Sequence, residues 1–165
     1  MKATPGQTLE ITRDARLENI GDLREFVGQA AEQCGADDET CFHLKLAVDE
    51  ACTNVVVHGY ADLPPGPMRL TFRCDDGQLI VTLSDRGRPF DPTAAGDPDL
   101  ESGWDDRQIG GLGIYLIRQV MDDVQFVHDP RHGNRLTLVK RFQPDRKSTR
   151  LNSSHSRASR MPSSA

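Results

Sequence analysis

A chain of 165 residues is the size of one domain with one sizeable core. Its 36% hydrophobic and 5% aromatic content fits a soluble domain, and the lack of any apolar run of about 18 residues excludes a membrane-spanning helix. The net charge of −5 is uneven: five of the 20 basic side chains and none of the 25 acidic ones fall in residues 146–165, so residues 1–145 carry −10. An acidic body argues against nucleic acid as a direct partner. The first residues, MKATPGQTLEIT, hold no apolar stretch of the secretory type, and the cysteines at 34, 41, 52 and 74 form no CxxC pair. Reduced thiols, a cytoplasmic location and no structural zinc site are expected.

In chain order, Thr8–Thr12 alternates and predicts a strand. Leu17 to about Cys34 has helical spacing, with Leu17, Ile20, Leu23, Phe26, Val27 and Ala30 on one stripe and Gly35 as the stop. A second helix starts after Asp37 or Asp38, either of which can cap it, and runs to about His58 before Gly59. Met68–Cys74 and Gln78–Ser84 predict a hairpin around Asp75-Asp76-Gly77. Arg86 to Ile109 is a long polar loop rich in proline and glycine, of a length that usually serves a function. Gly110-Gly111-Leu112-Gly113 opens a helix ending near Met121, and Val124–His128 and Arg135–Phe142 predict two more strands. The order β-α-α-β-β-loop-α-β-β predicts an α+β fold, a two-layer sandwich of a mixed, mostly antiparallel sheet with helices on one face.

The last twenty residues stand apart. RKSTRLNSSHSRASRMPSSA has no apolar periodicity and holds seven serines, against two in the rest of the chain. Such a segment cannot bury enough surface to offset the entropy of ordering it. Residues 1–145 are therefore read as the domain and 146–165 as a disordered basic tail, whose string also resembles translated adapter or vector sequence.

Three segments carry chemistry. On the second helix, Glu50, Asn54 and His58 follow at i, i+4 and i+8 along one edge, beside a core stripe of Leu44, Ala47, Val48, Ala51, Cys52 and Val55. The amide of Asn54 offers a neutral oxygen to a hard cation, and Glu50 can orient or deprotonate a nucleophile. Asn54 followed by three valines is locally poor for a helix, by roughly 0.5 kcal/mol per residue against alanine. The alternating strand through Leu83 ends in Asp85-Arg86-Gly87, where a strand-end carboxylate beside a glycine suits the exocyclic amine of a purine. Gly110, Gly111, Leu112 and Gly113 lead into a helix N-terminus whose free N–H groups suit an anion. Alone, each segment also reads as ordinary structure: a half-exposed helix flank, a turn, a hinge.

The order EACTNVVVHGY, SDRGRPFDP, GGLGIYLIRQVMDDV resembles the N, G1 and G2 boxes of the GHKL (Bergerat-fold, histidine kinase-like) ATPases. The short chain and the final GNRLTLVKRF strand most resemble the anti-sigma-factor serine/threonine protein kinases of bacterial partner-switching systems, over about residues 7–142. That resemblance implies ATP and Mg2+ as cofactors. It implies Asn54 as the magnesium ligand and Glu50 as the general base. Asp85 would accept from the adenine amine with Gly87 giving room, and Gly111, Leu112 and Gly113 would present N–H groups to phosphates. Gly110 would be a lid hinge and Thr137 would support adenine through a water. It implies a homodimer whose partners are a small antagonist protein, phosphorylated on serine, and a sigma factor. The alternative is an ATP-binding switch that sequesters a regulator with little kinase activity. Glu50 separates the two, because a pure binder has no need of a base. The motifs assign no role to His58, Arg86 or Arg88.

Overall fold

The computed structural model describes residues 3–91 and 111–144. Five strands, β1 (Thr8–Asp14), β2 (Pro67–Asp75), β3 (Gln78–Asp85), β4 (Asp123–Asp129) and β5 (Gly133–Arg141), form one sheet in the order β1-β2-β3-β5-β4. All four pairings are antiparallel. The helices α1 (Ile20–Gln33), α2 (Asp38–Asn54) and α3 (Gly111–Val120) cover one face. The α+β sandwich is thus as expected, with an antiparallel sheet rather than a mixed one.

Strict alternation sets the faces. Met68, Leu70, Phe72 and Cys74 of β2, Leu79, Val81 and Leu83 of β3, and Leu136 and Leu138 of β5 are buried under the helices. On the opposite face Thr71, Thr82 and Thr137 stand side by side in register. The hairpin between β2 and β3 turns on Asp76 and Gly77, both at positive φ, the mirror-image turn that matches strand twist.

α1 and α2 pack on each other and bring Leu23, Val27, Ala31, Leu44, Ala47 and Val48 into the core. Leu17 is not part of that stripe. It opens a separate 3-10 turn, Leu17–Asn19, and is 61% exposed, because Asn19 Nδ2 ties that turn to the Asp14 carbonyl at 3.0 Å. α1 ends in paired bonds from Gly35 N–H to Glu32 O and from Ala36 N–H to Ala31 O, a Schellman closure. Of the two candidate caps for α2 the chain uses Asp37, whose carboxylate accepts the Thr40 N–H at 2.9 Å. Hydrogen bonding from the Thr40 side chain, and then from this N–H, holds the Asp37 carboxyl below its ordinary range.

All four cysteines are free. Burial, with the Cys74 thiol beside it, pushes Cys34 up to about 12, so this thiol stays protonated and inert near neutrality. Among the described residues no helix is long and apolar enough to cross a membrane. Gly110, most of the long loop after Asp91 and the tail from 145 lie outside the described residues.

Candidate nucleotide site

The α-helical spacing read through His58 ends at Asn54. Val55–Gly59 is a π-helical turn, in which the Tyr60 N–H reaches back five residues to the Val55 carbonyl at 3.0 Å. Three consecutive β-branched valines crowd an α-helical turn, and the wider π turn relieves them. Its effect is to push Gly59 toward the loop that follows β3. The Arg88 N–H donates to the Gly59 carbonyl at 2.6 Å, and the Tyr60 hydroxyl accepts the Arg86 N–H at 3.0 Å. A Cβ at Gly87 would stand 2.6 Å from the Gly59 oxygen. Gly87 is therefore required by backbone packing against the π turn, a reason additional to room for a ligand.

Asp85 ends β3 and is buried. Its Oδ1 accepts the Gly87 N–H at 2.8 Å and the Asn134 Nδ2 at 2.9 Å. Burial raises its pKa from the ordinary aspartate value, and those two hydrogen bonds pull the other way without cancelling it. Four polar residues are buried among those described: Thr40, Asn54, Asp85 and Asn134. Thr40 belongs to the cap of α2. The other three line one pocket, walled by Ala51, Val55, Leu83, Ile117 and Leu136 and edged by Arg88 and Phe90. A narrow apolar slot with a few convergent polar groups is the usual form of a small-ligand site.

Glu50 lies one turn before Asn54 on α2. A Cβ built on Gly113 would overlap its Oε2, so the carboxylate rests against the first turn of α3 and would have to shift to admit a side chain there. Burial, and secondarily the Asp49 carboxylate, raise the pKa of Glu50. Gly111 and Leu112 occupy the same first turn, where backbone N–H groups lack intrahelical partners. Of the site residues singled out in the sequence, Asn54 and Asp85 line the pocket; Gly87 packs beside it on Gly59, and Glu50 meets Gly113 one turn of α2 away. His58 stacks on Phe90, ring centroids 4.7 Å apart and planes 11° from parallel, and its Nε2 is buried with no partner among the described residues. Arg88 edges the pocket, whereas the Arg86 guanidinium turns away to the Arg131 carbonyl at 2.8 Å.

Thr137 is not brought there. It stands on the outer face of the sheet, level with Thr82, while Asp85 faces the helices. The polar residue on β5 that does reach the pocket is Asn134, paired directly opposite Asp85. Parity was the available signal: Asn134 alternates with the buried Leu136 and Leu138, and Thr137 does not. Among the described residues no group of three or more His, Cys, Asp or Glu could hold a metal. The pocket instead offers two neutral amides, of which Asn134 is already engaged with Asp85, Gly87 and His128, and Asn54 is the other. That set suits magnesium carried in by phosphates, since magnesium keeps most of its ligands as water and phosphate oxygen.

Residues 14–140 match the family model of the histidine kinase-like ATPase domain. The serine-protein kinase RsbW of Halalkalibacterium halodurans is 33% identical over 155 residues, 92% of this chain and 93% of that protein. The serine-protein kinase RsbW of Bacillus cereus is 28% identical over 141 residues, 83% of this chain and 86% of that one. The chain also superposes on a crystal structure of the RsbU and RsbW domains of a Mycobacterium tuberculosis protein, with a TM-score of 0.58 and 22% identity. That match covers 83% of this chain and about a third, 32%, of the other, and it bears on the fold. The chain belongs to the histidine kinase-like, GHKL-type ATPase family and, within it, is related to the RsbW serine-protein kinases.

Proposed function

We propose that this chain is an ATP-dependent serine protein kinase and anti-sigma factor, which phosphorylates a serine of a small antagonist protein and sequesters a sigma factor. The observation that carries the reading is the convergence of three buried polar side chains, Asn54, Asp85 and Asn134, on one apolar slot, with Glu50 one turn away. The names of the RsbW relatives support the serine-kinase half. The sigma factor, the antagonist and a homodimer come from the family resemblance.

The Asp85 carboxylate accepts from the amine of adenine, and Leu83, Ile117 and Leu136 give the base an apolar bed. The N–H groups at Gly111, Leu112 and Gly113, beside the positive end of the α3 dipole, hold phosphate oxygens, and Gly110 acts as hinge. Asn54 would hold magnesium through its amide oxygen, and the bound ion neutralises charge on the phosphates. Glu50 takes the proton from the incoming serine hydroxyl. The serine oxygen then bonds to the γ-phosphorus as the bond from that phosphorus to the bridging oxygen breaks, leaving ADP and phosphoserine. Little covalent work is asked of the protein, as phosphoryl transfer depends mostly on positioning and charge.

A base works only when deprotonated. The raised pKa of Glu50 places the acid limb of the phosphotransfer pH profile above the ordinary glutamate range. Asp49→Asn removes the like charge that contributes to this shift, so the limb is expected to move to lower pH. Asp49 also faces Arg24 Nη1 at 3.5 Å, which partly screens it, and burial is the larger cause of the shift, so the limb is expected to stay above the ordinary glutamate range. An unmoved limb contradicts the electrostatic account of Glu50. The reading as a whole is tested by incubating the chain with ATP and a candidate antagonist and locating phosphoserine by mass spectrometry. ATP binding without transfer to any antagonist that the chain binds favours the sequestering switch.

A further inference from the structure

Behind Asp85 lies a polar chain, from Asn134 to His128, to which the nucleotide reading gives no role beyond lining the pocket. Asn134 Nδ2 donates to Asp85 Oδ1 at 2.9 Å and to the Gly87 carbonyl at 2.8 Å. On its other side, Asn134 Oδ1 lies 2.8 Å from His128 Nδ1, on the exposed end of β4. The amide orientation follows from these neighbours. Both acceptors, the carboxylate and the carbonyl, lie on one side, so both N–H bonds point there and a flipped amide would set oxygen against two oxygens. Oδ1 then faces the imidazole, and His128 Nδ1 carries a hydrogen and donates.

The consequence falls on Asp85. Its Oδ1 takes two donors, the Gly87 N–H and Asn134 Nδ2. No hydrogen bond among the described residues engages Oδ2. The carboxylate is clamped by one oxygen and presents the other.

We propose that Asn134, oriented by His128, is the positioning residue that aims Asp85 at a purine bearing a 6-amino group, and so sets base selectivity. This rests on the nucleotide reading above and names which residues make it selective. Without the clamp the carboxylate rotates about its last torsion and loses its preferred acceptor direction. With it, a base that lacks the amine leaves a buried acceptor unmatched and is rejected.

The test is the ratio of dissociation constants for purine riboside triphosphate, which lacks the 6-amino group, and ATP, measured on the full chain with magnesium. The unsubstituted chain is expected to prefer ATP by about tenfold or more. Asn134→Ala is expected to reduce that preference to less than about threefold, chiefly by weakening ATP. His128→Ala, at an exposed position that does not threaten folding, is expected to lose part of it. His128→Asn, which places an N–H donor near the former Nδ1, restores it. Equal weakening of both nucleotides by Asn134→Ala makes the residue merely structural and overturns the proposal, as does an unchanged ratio in both His128→Ala and Asn134→Ala. If the unsubstituted chain binds ATP with no preference, the clamp alone is wrong. If it binds neither nucleotide, the nucleotide reading fails with it.

Discussion

Exchange of Glu50 for alanine is expected to lower phosphoryl transfer to a protein serine by about 10²–10⁴-fold, the usual worth of a positioned general base. ATP affinity is expected to stay within about twofold, because an interaction made only in the transition state lowers turnover and leaves ground-state binding alone. Several features converge on this. Glu50 is held against the first turn of α3 at Gly113, with its pKa raised by burial. It stands one helical turn from Asn54, which lines the pocket, so base and nucleotide are served by one rigid element. Single-turnover transfer from labelled ATP, beside equilibrium binding of the same variant, separates the two quantities. Transfer retained at the unsubstituted rate removes Glu50 as the base. Lost binding would instead mean that the carboxylate shapes the pocket through its contact with α3.

Asp85→Asn is expected to weaken ATP binding by about 10²-fold, since a donor then faces the adenine amine in place of an acceptor. GTP, whose ring carries an acceptor at that position, is expected to lose less, so the ratio of the two affinities falls. The same substitution is expected to stabilise the nucleotide-free chain. The Asp85 pKa is raised by burial, so the folded state binds its proton more tightly than the unfolded state does. Stability linked to this group is therefore lost as pH rises from the ordinary carboxylate range through the raised folded value. At neutral pH the ionised carboxylate is a burden that asparagine does not carry, and Asn at 85 still accepts from Gly87 and Asn134. A gain of about 1 kcal/mol is expected at neutral pH, shrinking toward zero in acid, as is common when a functional group is neutralised. Urea unfolding across pH checks it. Equal losses for ATP and GTP contradict the recognition role, and lower stability at neutral pH contradicts the electrostatic one.

The elements and their order were legible because amphipathic stripes, caps and turn residues agreed along most of the chain. Leu17 misled because helical spacing extends one turn before the helix proper, and only the bond from Asn19 to Asp14 turns that residue outward. The π turn left a trace, since three valines after Asn54 are poor α-helix formers, but the trace does not say which alternative the backbone takes. Thr137 comes from the family resemblance, as a hydroxyl on the last strand. Strand parity would have excluded it in favour of Asn134, whose neighbours at every second position are buried leucines. The clamp on Asp85 was out of reach, because it depends on β3 and β5 pairing Asp85 with Asn134 across 49 residues of chain. Gly87 and Gly113 were legible as glycines in loops and at helix starts. What they meet, the Gly59 backbone carbonyl that demands glycine at 87 and the Glu50 carboxylate beside 113, is a matter of tertiary approach.

We propose that Asn54, Asp85 and the start of α3 form one magnesium-dependent nucleotide site. Calorimetric titration of ATP into the full chain, with and without magnesium and repeated with Asn54→Ala, tests it most directly. One site per chain, tight with magnesium and weakened by about tenfold or more when either the ion or the Asn54 amide is removed, is the expected result. Absence of binding, or the same affinity in all three titrations, contradicts it and leaves the pocket to some other ligand.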